Sequence, residues 1–168
     1  AKKYNIDLLT IIAPRHPKMI QNLISLANTN KLKTKIRSHN QSPDYNTEIY
    51  IADTIGELGS FMKIADICFV GGSLSNKGGH NLIEPAIEKC AIIYGPDVSN
   101  HTNTSEMLLK ENAAIQINNI DELNNEINRL MKNKEKIKKM ADTAHKIITN
   151  IPSPSSILLN KLLPYLKR

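Results

Sequence analysis

The stretch Ile67 to Tyr94, ICFVGGSLSNKGGHNLIEPAIEKCAIIY, carries the fold. It opens on four apolar residues, Ile67 to Val70, of the length and composition of a buried strand, and the run stops at Gly71-Gly72. His80 to Lys89 reads as a helix, and Ala91 to Tyr94 as a second fully apolar strand. Strand, glycine-rich loop, helix and strand make a βαβ unit, which joins parallel strands through a right-handed crossover.

The same alternation extends on both sides. Upstream, Ile6 to Ala13 is an apolar run halted by Pro14, and Ile20, Leu23, Ile24 and Ala27 recur at helical spacing. Lys31 to Arg37 (KLKTKIR) alternates strictly, which predicts a half-exposed strand near a sheet edge with a solvated basic face. Glu48 to Ala52 reads as a third strand and Ile55 to Lys63 as a short helix. Downstream, a helix over Thr104 to Glu111 precedes a strand over Ala113 to Ile117. Helices over Asp121 to Met131 and Lys134 to Ile148 follow, and a last one from Ser155 to about Leu166. The expectation is an α/β, Rossmann-like, doubly wound fold with a mostly parallel sheet of about six strands. No repeat or low-complexity linker divides the chain, so residues 1–168 are read as a single domain with C-terminal helices from about 120.

Composition narrows the function classes. The 168 residues suffice for one domain with a real core, and no apolar run reaches the roughly 20 residues of a membrane span. Two cysteines, Cys68 and Cys90, cannot build a disulfide scaffold or a four-thiolate metal site, and His39, His101 and His145 show no metal spacing. The net charge of +6 comes from 18 Lys but only 4 Arg, alongside 19 Asn and 24 Ile, a pattern that AT-rich codons produce. Aromatics are 4% and Trp is absent, which argues against nucleic acid as a partner. The Lys132 to Lys139 segment is read as a solvated face, with an anionic membrane surface left open as a partner.

In a doubly wound sheet, ligands sit where loops leave the carboxyl ends of the strands. Those loops are Pro14-Arg15-His16-Pro17, Asp53-Thr54-Ile55-Gly56-Glu57-Leu58, Gly71-Gly72-Ser73 and Gly95-Pro96. Two glycine pairs, Gly71-Gly72 and Gly78-Gly79, flank a polar loop whose backbone N–H groups can approach an anion, with Ser73 as a hydroxyl donor and Asn81 as a cap or ligand. The sequence lacks both Gly-Lys-Ser/Thr and G-x-G-x-x-G, so neither a P-loop nor a dinucleotide fingerprint is present. Glu84, one turn after His80 and Asn81, suits two ribose hydroxyls or simply a helix N-terminus. Arg15, on a stiff turn with His16, suits a phosphate or carboxylate.

Taken together, PRHP (14–17), DTIGEL (53–58), GGSL (71–74), GGHNLIEP (78–85) and YGP (94–96) resemble the 3-deoxy-D-manno-octulosonic acid (Kdo) transferases in order and spacing. The likeness runs from about Asp7 to Ile117. It implies the C-terminal, donor-binding half of a metal-independent, inverting GT-B glycosyltransferase that moves Kdo from CMP-Kdo to a lipid A precursor in lipopolysaccharide biosynthesis. On that resemblance Arg15, beside His16, would meet the CMP phosphate or Kdo carboxylate. Gly56 and Glu57 would line the cytosine pocket. Ser73, Gly79 and Asn81, within the loop that also holds Gly72, Gly78 and His80, would meet the phosphate, and Glu84 the ribose. Ile55 departs from the Met common in the family, and Asn76-Lys77 falls in a variable stretch. The resemblance further implies no cofactor and no catalytic residue in this chain. An N-terminal half would carry the acceptor surface and catalytic base, at the cytoplasmic face of the bacterial inner membrane, while this soluble fragment would bind donor without useful turnover. The alternatives are half of another GT-B nucleotide-sugar enzyme, such as a UDP-sugar transferase or 2-epimerase, and a non-catalytic nucleotide-binding module.

Overall fold

Four consecutive residues, Ala91, Ile92, Ile93 and Tyr94, are completely buried, as a central parallel strand covered on both faces requires. The computed structural model describes residues 8–75, 77–151 and 162. Contacts divide the chain into two compact units, Ala1–Ile64 and Ala65–Arg168.

In the second unit, β4 (Ile67–Val70), β5 (Ala91–Tyr94) and β6 (Ala114–Gln116) form a parallel sheet with β5 in the middle, Ile67 opposite Ala91 and Ile92 opposite Ala114. Side chains alternate across it. Ile92 and Tyr94 join Val70, Leu82, Ala86, Leu108, Ala144 and Ile148, drawn from β4, the loop before α3, α3 (Ile83–Ile87), α4 (Thr102–Lys110) and α6 (Lys134–Thr149). Ala91 and Ile93 face the opposite core with Ile117, Leu130 and Met140, contributed partly by α5 (Ile120–Met131) and α6. Burying each of these isoleucines stabilises the fold by about 1.5–3 kcal/mol. Tyr94, buried with the rest of β5, places its hydroxyl 2.8 Å from Ser105 Oγ, which keeps a polar tip satisfied inside the core. Asn119 and Asn133 open α5 and α6 by accepting the N–H groups of Glu122 and Lys136, each at 2.9 Å.

In the first unit, β1 (Thr10–Ile12), β2 (Thr34–Ile36) and β3 (Ile49–Ile51) form a parallel sheet in the order β1-β3-β2, with α1 (Lys18–Thr29) and α2 (Leu58–Lys63) between and after them. Strand β2 lies at an edge, as the KLKTKIR alternation predicts. Tyr50 and Ile51 of β3 are buried, and the Tyr50 ring meets Phe61 of α2 edge-on at 5.8 Å.

Among the described residues the expected six parallel strands are therefore present, distributed as two sheets of three rather than one of six. Strands β4 and β5 match their apolar runs, whereas β1, β2, β3 and β6 are shorter than the stretches read for them. In the first unit pairing is confined to three residues of the central β3 on either side. The KLKTKIR strand starts only at Thr34, because α1 closes with Lys31 at φ 53° and Leu32 N–H bonded to Ala27 O. The largest difference is α3, which spans five residues instead of His80 to Lys89. The helix of Ser155 to Leu166 and the Asn76 position of the variable loop lie outside the described residues, apart from Leu162.

Candidate functional site

Parallel strands send their carboxyl-terminal loops to the same edge of a sheet, so each unit brings a pair of candidate loops together. In the second unit these are the loop after β4 (71–82) and the loop after β5 (95–101). Ser73 ties them. Its side chain is fully buried, its hydroxyl donates to Val70 O at 2.6 Å, and its Oγ accepts the Gly95 N–H at 2.7 Å. Asp97 N–H adds a bond to Ser73 O at 3.0 Å. The hydroxyl expected to face a phosphate is thus committed to the scaffold. Gly95 explains itself in the same contact, since a Cβ there would lie 2.6 Å from the Ser73 carbonyl carbon and 2.8 Å from Leu74 N.

The second glycine pair is equally engaged. Gly78, at φ +77°, donates its N–H to Asp97 Oδ2 at 2.6 Å, and the Asp97 carboxyl is held below its usual range, chiefly by that bond. A Cβ on Gly79, at φ +66°, would sit 2.8 Å from Asp97 O. Asp97 was not singled out from sequence, although its place directly after Gly95-Pro96 at the end of β5 was the available signal. At the other end of the loop, His80 N–H bonds to Gly71 O at 3.0 Å, and the His80 ring packs over Gly71 and Gly72, the latter at φ +77°.

Asn81 decides where α3 begins. Its Oδ1 accepts the Ile83 N–H at 2.8 Å and its Nδ2 donates to Glu84 Oε1 at 3.0 Å. This turn uses residues 80–82 to close the loop, which is why the helix starts later than its apolar pattern suggests. The exposed Glu84 carboxylate is left in the first turn of α3, aimed by Asn81.

In the first unit the candidate loops follow β1 and β3. Arg15 and His16 are exposed on the turn entering α1, where Met19 N–H bonds to His16 O. Glu57 accepts a two-pronged pair from Arg37, Nε to Oε2 at 2.9 Å and Nη2 to Oε1 at 2.7 Å, together with the Thr54 hydroxyl. The Arg37 bonds, seconded by Thr54, hold the Glu57 carboxyl down at about 2. Ile55 is fully exposed, and Gly56, at φ +87°, faces open space. Arg37 was read from sequence as part of a solvated basic face; its being one of 4 Arg in a Lys-rich chain was the signal that it differed. Beside the pair, Leu9, Ile11, Pro43, Tyr50 and Phe61 line a cleft of about 300 Å³.

Burial raises both thiols, Cys68 to about 11 and Cys90 to about 12, which leaves neither poised as a nucleophile. Among the described residues no helix is long and apolar enough to cross a membrane, and no group of three His, Cys, Asp or Glu could hold a metal ion.

No family model matches the chain. It is 38% identical over 151 residues to a protein of Rickettsia prowazekii named 3-deoxy-D-manno-octulosonic acid transferase, covering 89% of this chain and 32% of that protein. A Haemophilus influenzae protein of the same name is 32% identical over 163 residues, covering 96% of this chain and 38% of its own length. The chain thus spans about a third of the curated relatives it matches. Among solved structures, the C-terminal CMP-Kdo binding domain of WaaA from Acinetobacter baumannii superimposes with a TM-score of 0.80 at 29% identity, over 85% of this chain and 75% of that one. The C-terminal domain of a glycosyl transferase group 1 family protein from Francisella tularensis shares the fold, with a TM-score of 0.58 at 16% identity over 81% of this chain and 65% of its own.

Proposed function

We propose that this chain, homologous to the Kdo transferases over most of its length, is the donor-binding domain of such an enzyme, taking CMP-Kdo as its ligand. The observation that carries the reading is the 0.80 TM-score match at 29% identity to a domain described as binding CMP-Kdo. The loop geometry supports it: three of four positive-φ glycines lie in the 71–79 loop, where backbone can approach an anion as side-chain-bearing residues cannot. Arg15, exposed on the turn that enters α1, is assigned to the phosphate or the Kdo carboxylate, and Glu84 to the ribose hydroxyls. The backbone of Ile55-Gly56-Glu57 is assigned to the base. Ser73, Asn81 and Asp97 shape the phosphate loop from behind, Ser73 and Asp97 through their bonds to Gly95 and Gly78. The transfer of Kdo to a lipid A precursor, the general base and any contact with the inner membrane are assigned to parts of such enzymes that this chain does not span. Orientation and general-base catalysis together supply many orders of magnitude, so the chain alone is expected to bind donor without useful turnover.

Calorimetric titration of the full chain with CMP, UMP and UDP tests the reading. A clear preference for CMP is expected, with CMP affinity lowered by Arg15→Ala and by Glu84→Ala. Equal affinity for all three, or nucleotide binding indifferent to both substitutions, would overturn it.

A further inference from the structure

The loop that follows β3 is gripped at both ends by two adjacent residues that follow β2. Ile36 and Ile51 lie opposite one another in the parallel ladder, so the two strands release their chains side by side. Directly after β2, Ser38 donates its N–H and its hydroxyl to the two carboxylate oxygens of Asp53, at 2.9 and 2.6 Å. Its neighbour Arg37 makes the two-pronged pair with Glu57. Asp53 and Glu57 are the first and last residues of the 53–57 loop. Between them Ile55 and Gly56 are touched by neither grip and stay exposed.

The gripping turn is itself anchored. Ile36 N–H donates to Gln41 Oε1 at 2.9 Å, and the hydroxyl of buried Tyr50 donates to Gln41 O at 3.0 Å. The rigidity of the β2–β3 ladder thus passes through residues 36–41 to both ends of the loop. A planar guanidinium forked onto a carboxylate fixes orientation as well as distance, which a lysine at the same place cannot do.

We infer that Arg37 is a positioning residue for nucleobase selection: clamped on Glu57, with Ser38 on Asp53, it holds the Ile55-Gly56 backbone in the one arrangement that reads a base edge. The inference rests on the donor-binding reading given above. It assigns Glu57 to holding the loop, its two oxygens being occupied by Arg37 and Thr54, and leaves the reading to main-chain groups. Backbone groups discriminate between bases only when their positions are held to within a fraction of an ångström, so a loosened loop loses selectivity before it loses binding.

The test measures affinities of the full chain and of Arg37→Ala for CMP, UMP and ribose 5-phosphate, which has no base. The clamp predicts that Arg37→Ala reduces the CMP-over-UMP preference by about tenfold and leaves ribose 5-phosphate affinity unchanged. Arg37→Lys, which keeps the charge without the fork, should lose most of the same preference, and it decides the matter if the alanine variant does not fold. Selectivity retained in both variants would overturn the clamp alone. A parallel fall in ribose 5-phosphate affinity would also overturn it, by revealing general structural damage. A parent chain that does not discriminate CMP from UMP would overturn the donor-binding reading and the inference with it.

Discussion

Replacing Ser73 by Ala separates a scaffold hydroxyl from a ligand-binding one. In the structure the Ser73 side chain is fully buried, with Val70 O at 2.6 Å and Gly95 N at 2.7 Å. Alanine removes both bonds and leaves the buried Gly95 N–H without its acceptor. An orphaned buried donor costs about 1–3 kcal/mol, and the lost bond to Val70 adds roughly 0.5–1.5 kcal/mol. The expected destabilisation is about 2–4 kcal/mol, a large share of the roughly 5–15 kcal/mol by which a domain is stable. For a chain of this size that corresponds to a fall in Tm of about 5–15 °C. Urea unfolding followed by circular dichroism measures it directly, and CMP affinity measured well below the transition supplies the second readout. The scaffold role predicts a lowered midpoint with CMP affinity changed less than about threefold, since the hydroxyl faces away from solvent. A variant within about 0.5 kcal/mol of the parent but deficient in CMP binding would refute the reasoning and return Ser73 to the phosphate.

Two further outcomes are expected. Gly95→Ala should destabilise by about 3 kcal/mol or more in the same unfolding assay, because its Cβ would meet backbone atoms of Ser73 and Leu74 that cannot yield cheaply; an unchanged urea midpoint would contradict the tight contact between the two loops. The Glu57 carboxyl, held at about 2 in the fold, lies below its unfolded value of roughly 4.3, so its contribution is present above the unfolded pKa and fades as pH falls towards about 2. Between about pH 6 and about pH 2.5 the parent should therefore lose more stability than Glu57→Gln, while Asp44 and Asp97, also held low, contribute equally to both. Parallel losses in the two proteins would show that the Arg37 pair does not stabilise the fold.

The alternation of strands and helices was legible along the chain because apolar periodicity and Gly or Pro punctuation are local. Strand β5 matches its apolar run residue for residue, and α5 and α6 begin within a residue of where their patterns do. Element ends were less legible. Helix α3 loses its first turn to the Asn81 side chain, which competes for the Ile83 N–H as short polar side chains do. The apolar pattern carries no sign of that competition.

The site divides along the same line. Sequence alone determined which loops leave the strand ends and that glycines, Arg15 and Glu84 occupy them, since those features depend on neighbours in the chain. Only the tertiary structure decided which polar groups remain free. Ser73 reaches 22 residues ahead to Gly95, Gly78 reaches 19 to Asp97, and Glu57 reaches back 20 to Arg37. A buried donor or acceptor must find a partner, and strand pairing chooses that partner by bringing distant loops to one edge of a sheet. Spacing along the chain does not encode that register, so the groups most suited to bind a ligand and the groups that brace the loop look alike until the fold is built.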